Sequence, residues 1–255
     1  MKKGFTLAEV LITLGIIGVV AALTAPALNS AVQKAKVPPI LRKFIATMET
    51  VHEHILSDNE ADVMSTAIGC GVAGQEANYY QNLAKYLKGT FDASPGSADK
   101  WNDATKYPIV PTLMPKGTQS GFAAQMAGSE GHVFHMDSGQ DFIINILTEA
   151  LHDLLVGVKG SYKGLWATTV VDVNGFATGP NKVGKDLFLF YIDDNGSVIP
   201  LGGKQEYDAY TGFTHVYRWK DGALSERCND TDEVQEGWTC SGSIADNGWK
   251  IVYQY

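Results

Sequence analysis

Hydrophobic positions change their period three times along this chain of 255 residues. From Leu7 to Leu28 they run almost unbroken, and Glu9 is the only charge among them. About 20 apolar residues at 1.5 Å rise each cross a hydrocarbon core of ~30 Å, so residues 7–28 are expected to span a membrane as a helix. Beyond that run, Ile40, Leu41, Phe44, Ile45, Met48, Val51 and Ile55 recur at helical spacing, with Lys43, Glu49 and Glu53 between them. This pattern predicts an amphipathic continuation, one face of which docks on a globular domain, and the N-terminal helix is expected over 5–57. Pro38-Pro39 disturbs it, because adjacent prolines remove amide donors and crowd the preceding turn, which predicts a kink or a restart. Gly69-Cys70-Gly71 closes the region, and Tyr79 to Leu87 predicts a short second helix ending at Gly89.

From Gly89 to Gly121 the chain is rich in Gly, Pro, Ser, Asp and Asn, which predicts a long irregular connection. The period then shortens to that of strands. Val133 to Met136 turns at Asp137-Ser138-Gly139 into Asp141 to Ile146; Ala167 to Val173 is followed by Leu187 to Ile192; Asp194-Asn195-Gly196 turns into Ser197 to Ile199. Thr214 to Trp219, a turn at Asp221-Gly222 and a last run from Trp249 to Tyr255 add further strand pattern, while Leu147 to Val156 reads as one more helix or as a continuation of the strand before it. The expected fold class is α+β: a long N-terminal helix packed on an antiparallel sheet, with 58–255 as one globular domain.

Charge alters this picture mainly by exclusion. A formal net charge of -8 and a pI near 5.2 argue against phosphate backbones as ligands, so no nucleic-acid partner is expected. Lys2 and Lys3 precede the apolar run with nothing acidic beside them, so the positive-inside bias leaves the N-terminus cytoplasmic and sends 58–255 outward. The chain is expected to be a single-pass protein of the cytoplasmic membrane, with lipid around its first helix. A secretory signal cleaved near Ala25-Pro26-Ala27 fits poorly, since the run is too long and carries an early charge. A plain anchor explains the length but not Glu9, because a carboxylate in the bilayer costs on the order of 2.5 to 3.5 kcal/mol near the centre and less toward the edge.

The run Lys3-Gly4-Phe5-Thr6-Leu7-x-Glu9, followed by an apolar stretch, resembles the N-terminus of type IV prepilins and of the pseudopilins of type II secretion systems. The resemblance covers the first 28 or so residues and is weak beyond them. It implies that residues 1–4 are a leader removed after Gly4 by a prepilin peptidase, that Phe5 becomes a methylated N-terminus, and that Pro26 stands where a proline kinks the membrane helix in many members. It further implies a structural subunit and not an enzyme, joined to other pilin or pseudopilin subunits by an inner-membrane assembly platform in a pseudopilus or type IV pilus. The chemistry agrees with that implication. Cleavage creates an ammonium on Phe5, and an ammonium and a carboxylate attract strongly in low dielectric while either one alone is costly to desolvate. Glu9 of one subunit paired with the Phe5 amine of a neighbour then selects the register of packed helices, and Gly15, Gly18, Ala21, Ala22 and Ala25 offer small surfaces for close approach. The alternative is a membrane-anchored extracytoplasmic binding or adhesion domain that never polymerises, for which the N-terminus stays uncut and Glu9 is dispensable.

The segment Asp172-Val-Asn174-Gly175, Gly179-Pro180-Asn181 and Gly184-Lys-Asp186-Leu-Phe188 resembles one in the C-terminal domain of some pilin-like proteins. Hard cations take six to eight oxygens, and Asp172 with Asn174 beside a glycine turn is how a calcium loop begins. Asp172, Asn174, Asn181 and Asp186 are therefore candidate calcium ligands, although the same residues also build consecutive turns through side-chain to backbone bonds. The three cysteines form no repeated C-x-x-C spacing. Cys228 and Cys240 enclose an acidic loop, and outside the cytoplasm a disulfide there stabilises by roughly 3 kcal/mol; similar C-terminal loops occur in type IV pilins. Cys70 is left over, as a buried thiol or in another pairing. Among the histidines, His135 and Asp137 share a strand face that His132 does not, and His52 and His54 stand about 200° apart on a helix and cannot clamp one metal. No G-x-S-x-G, H-E-x-x-H or phosphate-cradling glycine motif is present, so no enzymatic activity is expected.

Overall fold

In the computed structural model, α1 (Leu7–Asp58) is a single helix of 52 residues, about 78 Å long at 1.5 Å per residue. The structure describes residues 6–69, 75–91, 133–146, 165–175, 178, 184–201, 228 and 240–253. The two ends of α1 lie in different surroundings. None of Leu7–Ala25 is buried, whereas Val37, Leu41, Phe44, Met48, Val51 and Ile55 are buried along one stripe at spacings of three and four. Ile40 and Ile45 sit at the margin of that stripe. His52 lies within it, 1% exposed.

The helix does not restart at Pro38-Pro39 but runs through both prolines. Val37 and Pro38 are buried at the level where the end of the chain crosses α1. There Lys34 Nζ donates to the Tyr253 carbonyl at 3.1 Å, and the Arg42 guanidinium lies over the Trp249 ring at 5.9 Å. Packing on both sides of the prolines outweighs the missing amide donors, so tertiary context overrides local propensity.

After α1 come a short helix α2 (Met64–Ala67) and α3 (Gln75–Tyr86). α3 starts four residues earlier than the apolar pattern suggests, and it buries Tyr79, Tyr80 and Leu83 in the core that α1 lines. Among the described residues six strands follow, paired antiparallel in sequence order: β1 (Gly89–Phe91), β2 (Val133–Met136), β3 (Asp141–Ile146), β4 (Leu165–Asp172), β5 (Leu187–Asp193) and β6 (Val198–Pro200). The hairpin β2–β3 has the residues and turn that the alternation predicts. β1 is a correction, since Gly89–Phe91 was expected to open an irregular connection and instead forms the edge strand, with Gly89 opposite Met136. Close approach explains the residue: a Cβ on Gly89 would run into the His135 carbonyl oxygen and come within 2.6 Å of the Phe134 ring.

Phe44 of α1 joins helix to sheet, meeting Phe142 edge-on at 5.5 Å and Phe190 at 5.9 Å. Phe188, Phe190 and Ile192 of β5 share that core, while Leu187, Leu189 and Tyr191 alternate onto the opposite face and are buried as well. The last described helix is α4 (Cys240–Asp246), held against β5 by Ser241 Oγ donating to Leu189 O at 2.5 Å. The expected final strand does not form over Trp249 to Tyr253. Those residues strap the domain to α1 through the Trp249 ring and the Tyr253 backbone carbonyl, and the Tyr253 hydroxyl donates to Gly184 O at 2.6 Å. Expectations for residues 92–121, 147–156 and 214–222 lie outside the described residues.

Candidate functional site

The first helical turn is built by Thr6 and Glu9. Thr6 is the N-cap in extended conformation, and its Oγ1 accepts from Glu9 N at 3.3 Å. Glu9 Oε2 in return accepts from Thr6 N and from Thr6 Oγ1, each at 2.8 Å. This reciprocal pair is a capping box, which satisfies helix N-terminal amides that have no partner one turn earlier. The signal was legible as Thr-x-x-Glu ahead of an apolar run, and the reading that singled out Glu9 as an unexplained charge overlooked it. Glu9 is thus a bonded carboxylate within its own chain. Gly4 and Phe5 lie outside the described residues.

Above this turn, Leu7–Ala25 has a mean hydropathy of 2.3 and is long and apolar enough to cross a membrane. Its polar atoms are turned inward onto the helix: Thr13 Oγ1 donates to Val10 O and Thr24 Oγ1 to Val20 O, both at 2.9 Å. A hydroxyl bonded to its own helix is compatible with hydrocarbon around it. Leu7, Leu11, Leu14, Ile17 and Leu23 are all 60% or more exposed, and a Cβ on Gly15 or Gly18 would meet nothing within 4 Å. The small residues therefore leave open notches on the helix surface. α1 passes through Pro26 without interruption.

The loop after β4 gathers three of the four candidate calcium ligands. Asp172 and Asp186 are buried; Asn174 N donates to Asp172 Oδ1 at 3.2 Å, and Asn174 Nδ2 donates to Asp186 Oδ1 at 3.1 Å. Asn174 Oδ1 is buried with no hydrogen-bond partner. Asn181 lies outside the described residues. The geometry on view is a loop stapled by its own side chains, with Gly175 at φ +82 tucked 3.0 Å from the Gly139 carbonyl of the β2–β3 turn when a Cβ is placed on it. Among the described residues no group of three or more His, Cys, Asp or Glu side chains is arranged to hold a metal ion.

Cys228 and Cys240 are bonded to each other, with Cα atoms 4.9 Å apart, and Cys240 opens α4; Cys70 lies outside the described residues. The described histidines are dispersed. His135 Nδ1 contacts Asp141 Oδ1 at 2.8 Å at one end of the sheet, and His54 stacks on Tyr86 at 5.0 Å, whose hydroxyl donates to Asp58. His52 is enclosed between α1, α3 and the β5–β6 turn. Periodicity alone could not find it, because a histidine on an apolar stripe carries no signal until its partners are known.

Compared with known families, residues 1–25 match the prokaryotic N-terminal methylation motif. The chain therefore carries the motif that is the hallmark of type IV pilins and pseudopilins. No curated protein and no solved structure matches it.

Proposed function

We propose that the chain is the precursor of a pilin-like structural subunit, cut after Gly4 by a prepilin peptidase, methylated on Phe5 and assembled into a type II secretion pseudopilus or a type IV pilus. In this reading α1 enters the cytoplasmic membrane with its N-terminus inside, and the sheet domain lies outside, where the Cys228–Cys240 bond can persist. The observation that carries the reading is the coincidence of the methylation motif at 1–25 with a helix that leaves every apolar residue of Leu7–Ala25 unburied. A surface of that kind needs lipid or neighbouring helices around it.

The capping box refines the assembly step. Before cleavage, Glu9 accepts from Thr6; after cleavage, the new Phe5 ammonium of an adjacent subunit competes for the same oxygens. The ammonium adds a charge–charge attraction to the carboxylate that the neutral Thr6 donors lack, and that attraction is strong in a dry environment. Glu9 would then exchange an internal partner for an external one as the helix leaves lipid for the filament.

That same capping box favours the second reading, an anchored binding or adhesion domain that does not polymerise, because it explains Glu9 without any neighbour. Mass spectrometry of the N-terminal peptide separates the two: methylated Phe5 is the expected result, and an intact Met1 overturns the proposal. In Glu9→Ala, processing is expected to persist while filaments sheared from cells fall by at least tenfold; undiminished filaments would remove the charge from the assembly step.

A further inference from the structure

Among the described histidines only His52 is buried, and it stands where three elements meet. Its Nδ1 lies 2.6 Å from Gly196 O in the β5–β6 turn, and its Nε2 lies 2.7 Å from the Tyr79 hydroxyl on α3. A carbonyl oxygen only accepts, so Nδ1 carries the hydrogen and donates, and Nε2 accepts from Tyr79. Both nitrogens of a neutral ring are thereby used. The turn backbone rests directly on the side chain, for a Cβ on Gly196, at φ +87, would come within 2.7 Å of His52 Cβ. Two carboxylates hold the same turn to the helices. Glu49 accepts from Val198 N at 3.2 Å, and Asp194 accepts from Ser65 N at 2.7 Å and Ser65 Oγ at 2.8 Å, while its backbone oxygen takes Met64 N at 2.7 Å.

We infer that the β5–β6 turn is an acid-operated latch: the neutral His52 ring pins the turn and α3 to α1, and an imidazolium in its place drives the turn off the helix while the sheet stays paired. The titratable groups on the surrounding elements supply no counter-ion. From α3 come Tyr79 and Tyr80, and the Tyr80 hydroxyl accepts from Ile144 N at 2.7 Å. From the turn come Asp193, whose Oδ1 accepts from Ser197 N at 2.7 Å, and Asp194; from α1 come Glu49 and the exposed Glu53. Among the described residues no carboxylate contacts the ring. Enclosing an unpaired charge is costly enough that the ring either stays neutral or leaves.

Desolvation accordingly lowers the imidazole pKa from 6.5 to about 4, against a smaller upward pull from the Gly196 carbonyl. The released ring binds its proton more readily than the enclosed one. The latch is therefore at full strength above pH 6.5 and weakens as pH falls from 6.5 toward about 4. Its opening equilibrium rises roughly 50-fold between pH 7 and pH 4.5 by this linkage.

The test uses the full chain in detergent micelles and does not depend on filament assembly. Histidine-selective NMR is expected to show one imidazole, absent from the His52→Gln spectrum, that titrates well below 6.5; a His52 midpoint near 6.5 overturns the inference. Amide exchange corrected for intrinsic rate is expected to accelerate over the β5–β6 turn in acid and far less over β3 and β4. Equal acceleration in all three means global loosening and overturns the latch. His52→Gln, which can still donate and accept, is expected to flatten the pH dependence of turn opening, and an unchanged slope overturns the role of the ring. Tyr79→Phe removes the donor that stabilises the neutral ring, so the imidazole midpoint is expected to rise; a fixed midpoint excludes Tyr79 from the latch.

Discussion

Two stretches of the same helix, Leu7–Ala25 and the stripe from Val37 to Ile55, use similar apolar residues to opposite ends. In the first, apolar side chains cover the whole circumference and none is buried. In the second they occupy one face, and each touches a domain core built from α3, the sheet and α4. Residue identity does not separate them: Leu14 is 60% exposed and Leu41 is 0% exposed. What differs is the arrangement of polar neighbours, which says how many sides of the helix are meant to leave water. The all-round pattern calls for a medium, and the striped pattern calls for a partner.

The sharpest way to break this comparison is to truncate matched positions in the two stretches. Phe44→Ala empties a site between Phe142 and Phe190 and is expected to cost about 3 to 5 kcal/mol of domain stability, read by denaturant unfolding in micelles. Next in size, opening the Cys228–Cys240 bond, whose partners are 12 residues apart, is expected to cost about 3 kcal/mol, read as a lower midpoint for Cys228→Ser/Cys240→Ser than for the oxidised chain. At the other end, Thr6→Ala removes the Oγ1 half of the capping box while Thr6 N keeps its bond to Glu9 Oε2, and is expected to cost about 1 kcal/mol locally. Amide exchange at Val10 and Leu11 reads it, and the domain's unfolding midpoint should not move. Smallest of all, Leu14→Ala on the exposed stretch is expected to change domain unfolding by less than about 0.5 kcal/mol. An effect there as large as that of Phe44→Ala would mean that Leu7–Ala25 packs on the domain, and the two stretches would no longer differ.

The comparison also shows which parts of the molecule could be read in advance. β2 and β3 were legible to the residue because two short apolar runs bracket a short Asp-Ser-Gly turn, so that composition and punctuation agree. The domain-facing stripe of α1 was legible from its helical spacing. Where reading failed, a local preference had lost to a distant contact. Pro38-Pro39 was expected to kink or restart the helix, yet α1 runs through both prolines where Lys34 and Arg42 meet Tyr253 and Trp249. Trp249 to Tyr253 has a strand-like alternation, but its alternate residues face α1, the core and the loop before β5, and no strand among the described residues pairs with it. At the proposed processing end, the positions of Gly4, Phe5 and Glu9 came from a motif that is entirely local. The Thr6–Glu9 reciprocity was equally local and was missed only because the charge had already been assigned another purpose. His52 belongs to neither kind: its meaning comes from Gly196 and Tyr79, 144 and 27 residues away.

An unbroken α1 also has a mechanical consequence. Apart from the amide donors that Pro26, Pro38 and Pro39 lack, its backbone hydrogen bonds lie nearly parallel to the axis, so a pull applied at Glu9 is carried along it turn by turn. About 65 Å further on, at 1.5 Å per residue, the same shaft presents Glu49 and His52 to the β5–β6 turn. Tension along the rod, or its release, arrives at the place where the domain is fastened by polar bonds, which yield one at a time, whereas the aromatic core at Phe44 yields only as a whole.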